Sequence, residues 1–188
     1  MCEELTEARP KMTDFGSEDS MFMRHALSLA RRAMRMGEIP VGAIVVENGV
    51  AGPRIIGRGF NYREKRNDPT AHAEVMALRA AGRHRKSWQL TDCRMYVTLE
   101  PCPMCAGALV NARIRRLIFG AYDPKAGACG TLYQITNDQR LNHRMETTGG
   151  LMAEDSAALL REFFTARRKS GLAGVAACQE ARSRAAKK

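Results

Sequence analysis

The chain has 188 residues, 45% of them hydrophobic, and carries 30 Lys and Arg against 20 Asp and Glu, for a formal net charge of +10. That is enough chain to bury one ordinary core without disulfide staples, and the six cysteines show no dense framework spacing. No apolar run approaches the ~18 residues of a membrane span, and the acidic start "MCEELTEARP" is unlike a secretory signal, so the expectation is a cytoplasmic protein with reduced thiols.

Charge is spread unevenly. Residues 1–20 hold six acidic side chains against two basic ones, whereas residues 161–188 hold eight basic against two acidic. This division suggests a flexible acidic leader over 1–19, a domain over 20–169 and a basic, Ala-rich tail over 170–188. A basic body with a basic tail suits a polyanionic partner, although basic soluble proteins are common without one.

In chain order, the spacing of Phe22, Ala26, Leu29, Ala30 and Ala33 predicts a helix from Ser20, ended by Gly37 and Pro40. "VGAIVV" (41–46) and "RIIGRGF" (54–60) read as paired strands around a turn "ENGVAGP". "DPTAHAEVMALRAAG" starts a second helix, with Asp68 as its cap and Pro69 at its first position. "CRMYVTL" (93–99) is a third strand, "PMCAGALVNA" a helix and "IRRLIFGA" a fourth strand. A fifth strand near 145–151 and a helix over about 154–168 complete the order. Helices interleaved with strands in this way imply a three-layer α/β/α sandwich on a central mixed five-stranded sheet.

The stretch "LEPCPMCAGAL" places Cys102 and Cys105 three apart just after a strand. Such a pair can be a redox couple, half of a four-ligand zinc staple, or two ligands of a metal that needs a third. With Pro103 at the first helical position, Cys102 caps a helix and Cys105 lies on the same face, where the helix N-terminus favours thiolates. His72 is the candidate third ligand. His72 and Glu74 are two residues apart and reach one site only if it lies off the end of their helix. No second CxxC exists to close a four-ligand staple, so three ligands with one open position point to catalysis rather than structure.

"HAE" followed by "PCPMC", with "IPVGAIVV", "GFN", "NDPTAHAEVMALR", "IFGAYDPKAGACGTL", "LNHR" and "FFTARRK", resembles the bacterial tRNA-specific adenosine deaminases, a branch of the zinc-dependent cytidine/deoxycytidylate deaminase superfamily. The resemblance runs over about residues 23–169. It implies a cytidine deaminase-like fold, one Zn2+ per subunit held by His72, Cys102 and Cys105, and Glu74 as the proton shuttle for a zinc-activated water that deaminates the wobble adenosine of a tRNA anticodon to inosine. It further implies substrate contacts from Asn61, Asp123, Asn142, His143, Arg144, Phe164, Arg167 and Arg168 to the anticodon arm. A homodimer is implied too, packed through the small residues of "MCAGALVNAR". Two other classes stay open: a guanine or deoxycytidylate-type deaminase of a free base or nucleotide, and a non-catalytic zinc or thiol protein that binds RNA. Glu74 speaks against the last, since a purely structural metal has no use for a carboxylate beside an open position.

Overall fold

A computed structural model describes residues 15–185, with side chains as far as Lys169. The elements are α1 (Ser17–Arg35), β1 (Gly42–Gly49), β2 (Gly52–Phe60), the single-turn α2 (Arg63–Arg66), α3 (Ala73–Arg85), β3 (Cys93–Leu99), α4 (Pro103–Asn111), β4 (Arg116–Ala121), β5 (Glu146–Gly149) and α5 (Ala153–Ala185). The strands form one sheet in the order β2-β1-β3-β4-β5. β1 pairs antiparallel with β2 and β3, while β4 runs parallel to β3 and β5. The central strands β1, β3 and β4 read as nearly unbroken buried runs because helices cover both faces. Phe22, Met23, Ala26 and Leu27 of α1 and Leu159 of α5 pack with Ile44, Tyr96 and Ile118 on one face. Ala73, Ala77 and Ala81 of α3 and Ala106 and Leu109 of α4 pack with Val45, Met95, Val97 and Phe119 on the other. The result is the three-layer sandwich on a mixed five-stranded sheet that the sequence order implies.

Four boundaries differ from the sequence reading, each for a local reason. α1 begins at Ser17, not Ser20: Asp19 accepts the Gly16 N–H and the Tyr96 hydroxyl (3.2 and 2.6 Å), so an acid of the expected leader is a buried helix-start residue. Residues 1–14 of that leader lie outside the described residues. Most of "ENGVAGP" is strand, since Gly49 pairs with Gly52 across a two-residue turn at Val50 and Ala51; Gly52 sits at φ +101°, where glycine is unstrained. α3 starts at Ala73, not at Pro69, because the Asp68 carboxylate bonds the N–H and hydroxyl of Thr70 (2.8 and 2.6 Å) and closes a turn there. α5 runs to Ala185, past Arg168, through an Ala-rich stretch of high helix propensity.

The topology gathers four strand ends at one edge of the sheet. Because β1 is antiparallel to its neighbours, the end of β2 (Phe60), the start of β1 (Gly42) and the carboxyl end of β3 (Leu99) share that edge, with the carboxyl end of β4 (Ala121) paired to Leu99. Ligand sites of open α/β sheets lie beyond the carboxyl ends of the strands. α3 reaches the edge by lying directly on β2. A Cβ at Gly59 would stand 2.1 Å from the Ala73 carbonyl oxygen and 2.5 Å from the Ala77 nitrogen, and one at Gly57 would stand 2.4 Å from the Ala77 oxygen. Replacing Gly59 by Ala must therefore push the first turn of α3 off the sheet. The expected cost is about 1–3 kcal/mol in urea unfolding, accompanied by weaker metal retention, because the displaced turn carries His72.

Candidate active site

The N-caps of α3 and α4 are His72 and Cys102. Cys102 Sγ lies 3.7 Å and Cys105 Sγ 3.6 Å from His72 Nδ1, and all three donor atoms fall within 4.8 Å of one another. A tetrahedral zinc with thiolates at ~2.3 Å and imidazole at ~2.0–2.1 Å holds sulfur and nitrogen about 3.5 Å apart, so the donor set and its spacing fit that ion. Pro103 at the start of α4 leaves Cys102 extended ahead of the helix and Cys105 inside its first turn, as the spacing requires. The expectation that the triad sits off the helix end holds, although the helix starts four residues later than the sequence suggests.

The hydrogen bond from Cys105 and the contact with His72 pull the Cys102 thiol down to about 4, despite burial. The same bond, together with burial, pushes Cys105 up, so the anion resides on Cys102. The bond to Cys102 raises His72. Glu74, 4% exposed, is raised by burial; it bonds Cys105 and feels the charges of His72 and Cys102, yet stands outside the ligand cluster. A raised, buried carboxylate beside a group that could hold a metal marks Glu74 as a candidate for proton transfer.

Asn61 directly follows β2 and is 5% exposed. Its Oδ1 accepts the Ala73 N–H (2.9 Å), which caps α3 in place of any side chain of its own N-cap. With its oxygen engaged by α3, the side chain's remaining donor group is its amide N–H2.

Two buried carboxylates that motif reading passes over tie down the flanking loops. Glu38, 1% exposed, accepts the N–H groups of Glu64 and Lys65 (3.3 and 2.8 Å) and so holds α2 next to Asn61. Glu100, 2% exposed, accepts from Asp123, Cys129 and Thr131 in the segment after β4. The signal for Glu100 lies in "LEPCPMC", where an acid directly follows an apolar strand and precedes a ligand. Cys129 is buried, and burial first, then the charges of Glu100, Glu74 and Cys102, push its thiol up to about 12; it lies outside the His72, Cys102 and Cys105 group.

The other expected contact residues bond within their own segments or to adjacent loops. The Asp123 carboxylate closes a turn by accepting from Lys125 and Ala126. Arg113 donates to the Asn142 carbonyl (2.9 Å), and His143 Nε2 bonds the Ile114 carbonyl (2.7 Å), which docks "NHR" on the turn after α4 and leaves Arg144 exposed. On α5, Phe164 is 43% exposed and edge-on to Phe163, Arg167 lies over the Phe163 ring, and Arg168 bonds Thr165. No contact joins these side chains to the His72 cluster among the described residues.

Fold and site together define a deaminase: a three-layer sandwich with a His/Cys/Cys cluster and a buried glutamate at converging helix starts. Residues 17–168 match the MafB19-like deaminase family. The tRNA-specific adenosine deaminase of Haemophilus influenzae is 46% identical over 151 residues, 80% of this chain and 86% of the relative. A solved structure from studies of A-to-I editing by tRNA:A34 deaminases at the wobble position superposes with a TM-score of 0.70 at 40% identity, covering 75% of this chain and 99% of that one. A guanine deaminase from Nitrosomonas europaea superposes less well, with a TM-score of 0.64 at 25% identity over 77% and 83% of the two chains. The chain belongs to the tRNA-specific adenosine deaminase family.

Three variants test the site. Cys105→Ala is expected to lose bound zinc and activity together, read by elemental analysis against about one ion per subunit in the parent. Asn61→Asp keeps the acceptor for the Ala73 N–H and removes the amide donors. It is expected to retain zinc and folding while losing deamination, whereas Asn61→Ala lowers the melting temperature as well.

Proposed function

We propose that the protein hydrolytically deaminates adenosine to inosine at the wobble position of a tRNA anticodon, working as a cytoplasmic zinc enzyme and a homodimer. The observation that carries the reading is Glu74, buried at the head of α3 beside His72, Cys102 and Cys105 and outside the ligand set. His72, Cys102 and Cys105 would hold the zinc, which when bound supplies Lewis acidity that brings a water's pKa toward neutrality. Glu74 takes one proton from the attacking water and passes it to N1 of adenine as the oxygen adds to C6, then moves the remaining hydroxyl proton to the amino group, whose bond to C6 breaks, so that adenosine and water become inosine and ammonia. Asn61, with its oxygen committed to α3, orients the base through its amide donors. The buried surroundings that raise Glu74 suit a group that must both take and return a proton.

Several features support RNA over a free base. The relatives named above carry the tRNA activity at 40–46% identity, and the chain has a surplus of ten positive charges. Phe164 offers an exposed ring beside Arg167 and Arg168, suited to an unpaired base and its phosphate. Among the described residues no helix is long and apolar enough to cross a membrane. For the homodimer, the outer side of α4 supplies the support: Met104 is 38% exposed, and a Cβ at Gly107 would meet nothing within 4 Å.

Purified protein given a short anticodon stem-loop with a wobble adenosine is expected to form inosine at least ~10³-fold faster in kcat/KM than it deaminates free adenosine, cytidine or guanine, about 4 kcal/mol of positioning by remote contacts. Comparable turnover of free guanine would transfer the reading to the guanine deaminases. Glu74→Ala is expected to keep zinc and fold while losing at least ~10²–10⁴ in rate on the stem-loop.

A further inference from the structure

The active edge is bounded on one side by the loop that follows β4, and that loop is folded around a single side chain. Glu100 Oε1 accepts the backbone N–H groups of Cys129 and Thr131, both at 3.0 Å. Its Oε2 accepts the Asp123 N–H (3.1 Å) and the Thr131 hydroxyl. Both oxygens are thus satisfied by donors of one loop, and no Lys, Arg or His pairs with Glu100 among the described residues. The wrapping is close: a Cβ at Gly127 would stand 2.3 Å from Oε2 and 2.6 Å from the Asp123 carbonyl oxygen.

The same loop is stitched to the residue that precedes a metal ligand. The Glu100 N–H donates to the Ala121 carbonyl (2.8 Å), and the Pro101 carbonyl accepts the Ala128 N–H (2.9 Å) and the Cys129 thiol (3.9 Å). Cys102 follows directly. We propose that Glu100 is a positioning residue for the deamination: it fixes the 123–131 loop against the Pro101–Cys102 segment, so that one wall of the catalytic pocket is rigid before the substrate base enters. The proposal rests on the deaminase reading of the site.

A core filler would not need this chemistry. Four donors arrive at one group from two sides, and only a group that accepts at both oxygens satisfies them all. Glutamine has the same shape but must turn its NH2 toward either the Cys129 and Thr131 N–H groups or the Asp123 N–H, where donor meets donor. Glu100→Gln therefore frees one side of the loop while the rest of the fold keeps its contacts. Thr131→Val removes the hydroxyl alone and leaves all three backbone bonds.

The test measures stem-loop kinetics, zinc content and amide hydrogen exchange on the purified full chain, well below its unfolding temperature. Glu100→Gln is expected to keep about one zinc per subunit, to lower kcat at least ~10-fold with KM changed less than ~3-fold, and to speed exchange at the Asp123, Cys129 and Thr131 amides. Thr131→Val is expected to show the same pattern more weakly, and the double variant to be no slower than Glu100→Gln, since both act through one loop. Wild-type kcat and KM in Glu100→Gln, or a lowered melting temperature with unchanged kcat, would overturn the proposal. Should Glu100→Gln fail to fold, Thr131→Val decides: wild-type kcat and exchange there overturn it equally. A parent protein that leaves the stem-loop adenosine intact would instead sink the deaminase reading, and the exchange pattern would still show whether Glu100 holds the loop.

Discussion

The caps of two helices touch at the edge of the sheet, His72 Nδ1 lying 3.7 Å from Cys102 Sγ, and the other features of the site follow from that meeting. Each helix brings unpaired N–H groups and the positive end of its dipole, which favours a thiolate on Cys102 by amounts of order 0.3–1 kcal/mol each. Two positive helix ends would repel without anions between them. Cys102 supplies an anion between them, and a divalent cation held there would draw the Cys105 thiol into its thiolate form as well. The meeting is made possible by an absence of side chains: Gly57 and Gly59 on β2 face Ala73, Ala77 and Ala81 on α3, so the helix lies close enough on the sheet to aim its start at that of α4. α4 needs no such seam, because it descends directly from β3 and inherits its position from the strand.

A site built from helix starts and loop ends is only as precise as the contacts that hold those loops. Here polar side chains buried beneath the edge do the holding. Asn61 spends its oxygen on the first N–H of α3, Glu38 gathers the start of α2, and Glu100 gathers the segment after β4. None of the three loops could be fixed by apolar packing alone, since each carries backbone N–H groups that would otherwise be buried without partners. The acids therefore serve two ends at once: they satisfy donors, and they convert flexible connections into walls with a defined distance to the ligands.

The element order, the mixed five-stranded sheet and the grouping of His72 with Cys102 and Cys105 are legible in the sequence because they rest on short-range rules. Buried runs such as "CRMYVTL" and "IRRLIFGA" give strands, Pro103 fixes the start of α4, and the two-residue gap between His72 and Glu74 demands a site off a helix end. The start of α3 was misplaced because Asp68 and Pro69 look like a cap and a first helical residue, while the Asp68–Thr70 turn and the borrowed Asn61 cap involve contacts that local sequence does not reveal. The hairpin was read as looser than it is, since "ENGVAGP" is rich in turn residues yet only Val50 and Ala51 turn. Glu38 and Glu100 stayed hidden for the same reason as Asn61: their partners lie 12 to 31 residues away in the chain.

His72, Cys102 and Cys105 would give a bound zinc two sulfurs and one nitrogen, with a fourth position open for solvent or substrate. X-ray absorption at the zinc edge of the zinc-loaded protein measures this directly. Two sulfurs near 2.3 Å with two light atoms near 2.0–2.1 Å, one of them exchangeable, are expected for such a site. A shell of three or four sulfurs, with Cys129 or another thiol drawn in, would contradict it and return the cluster to a structural role.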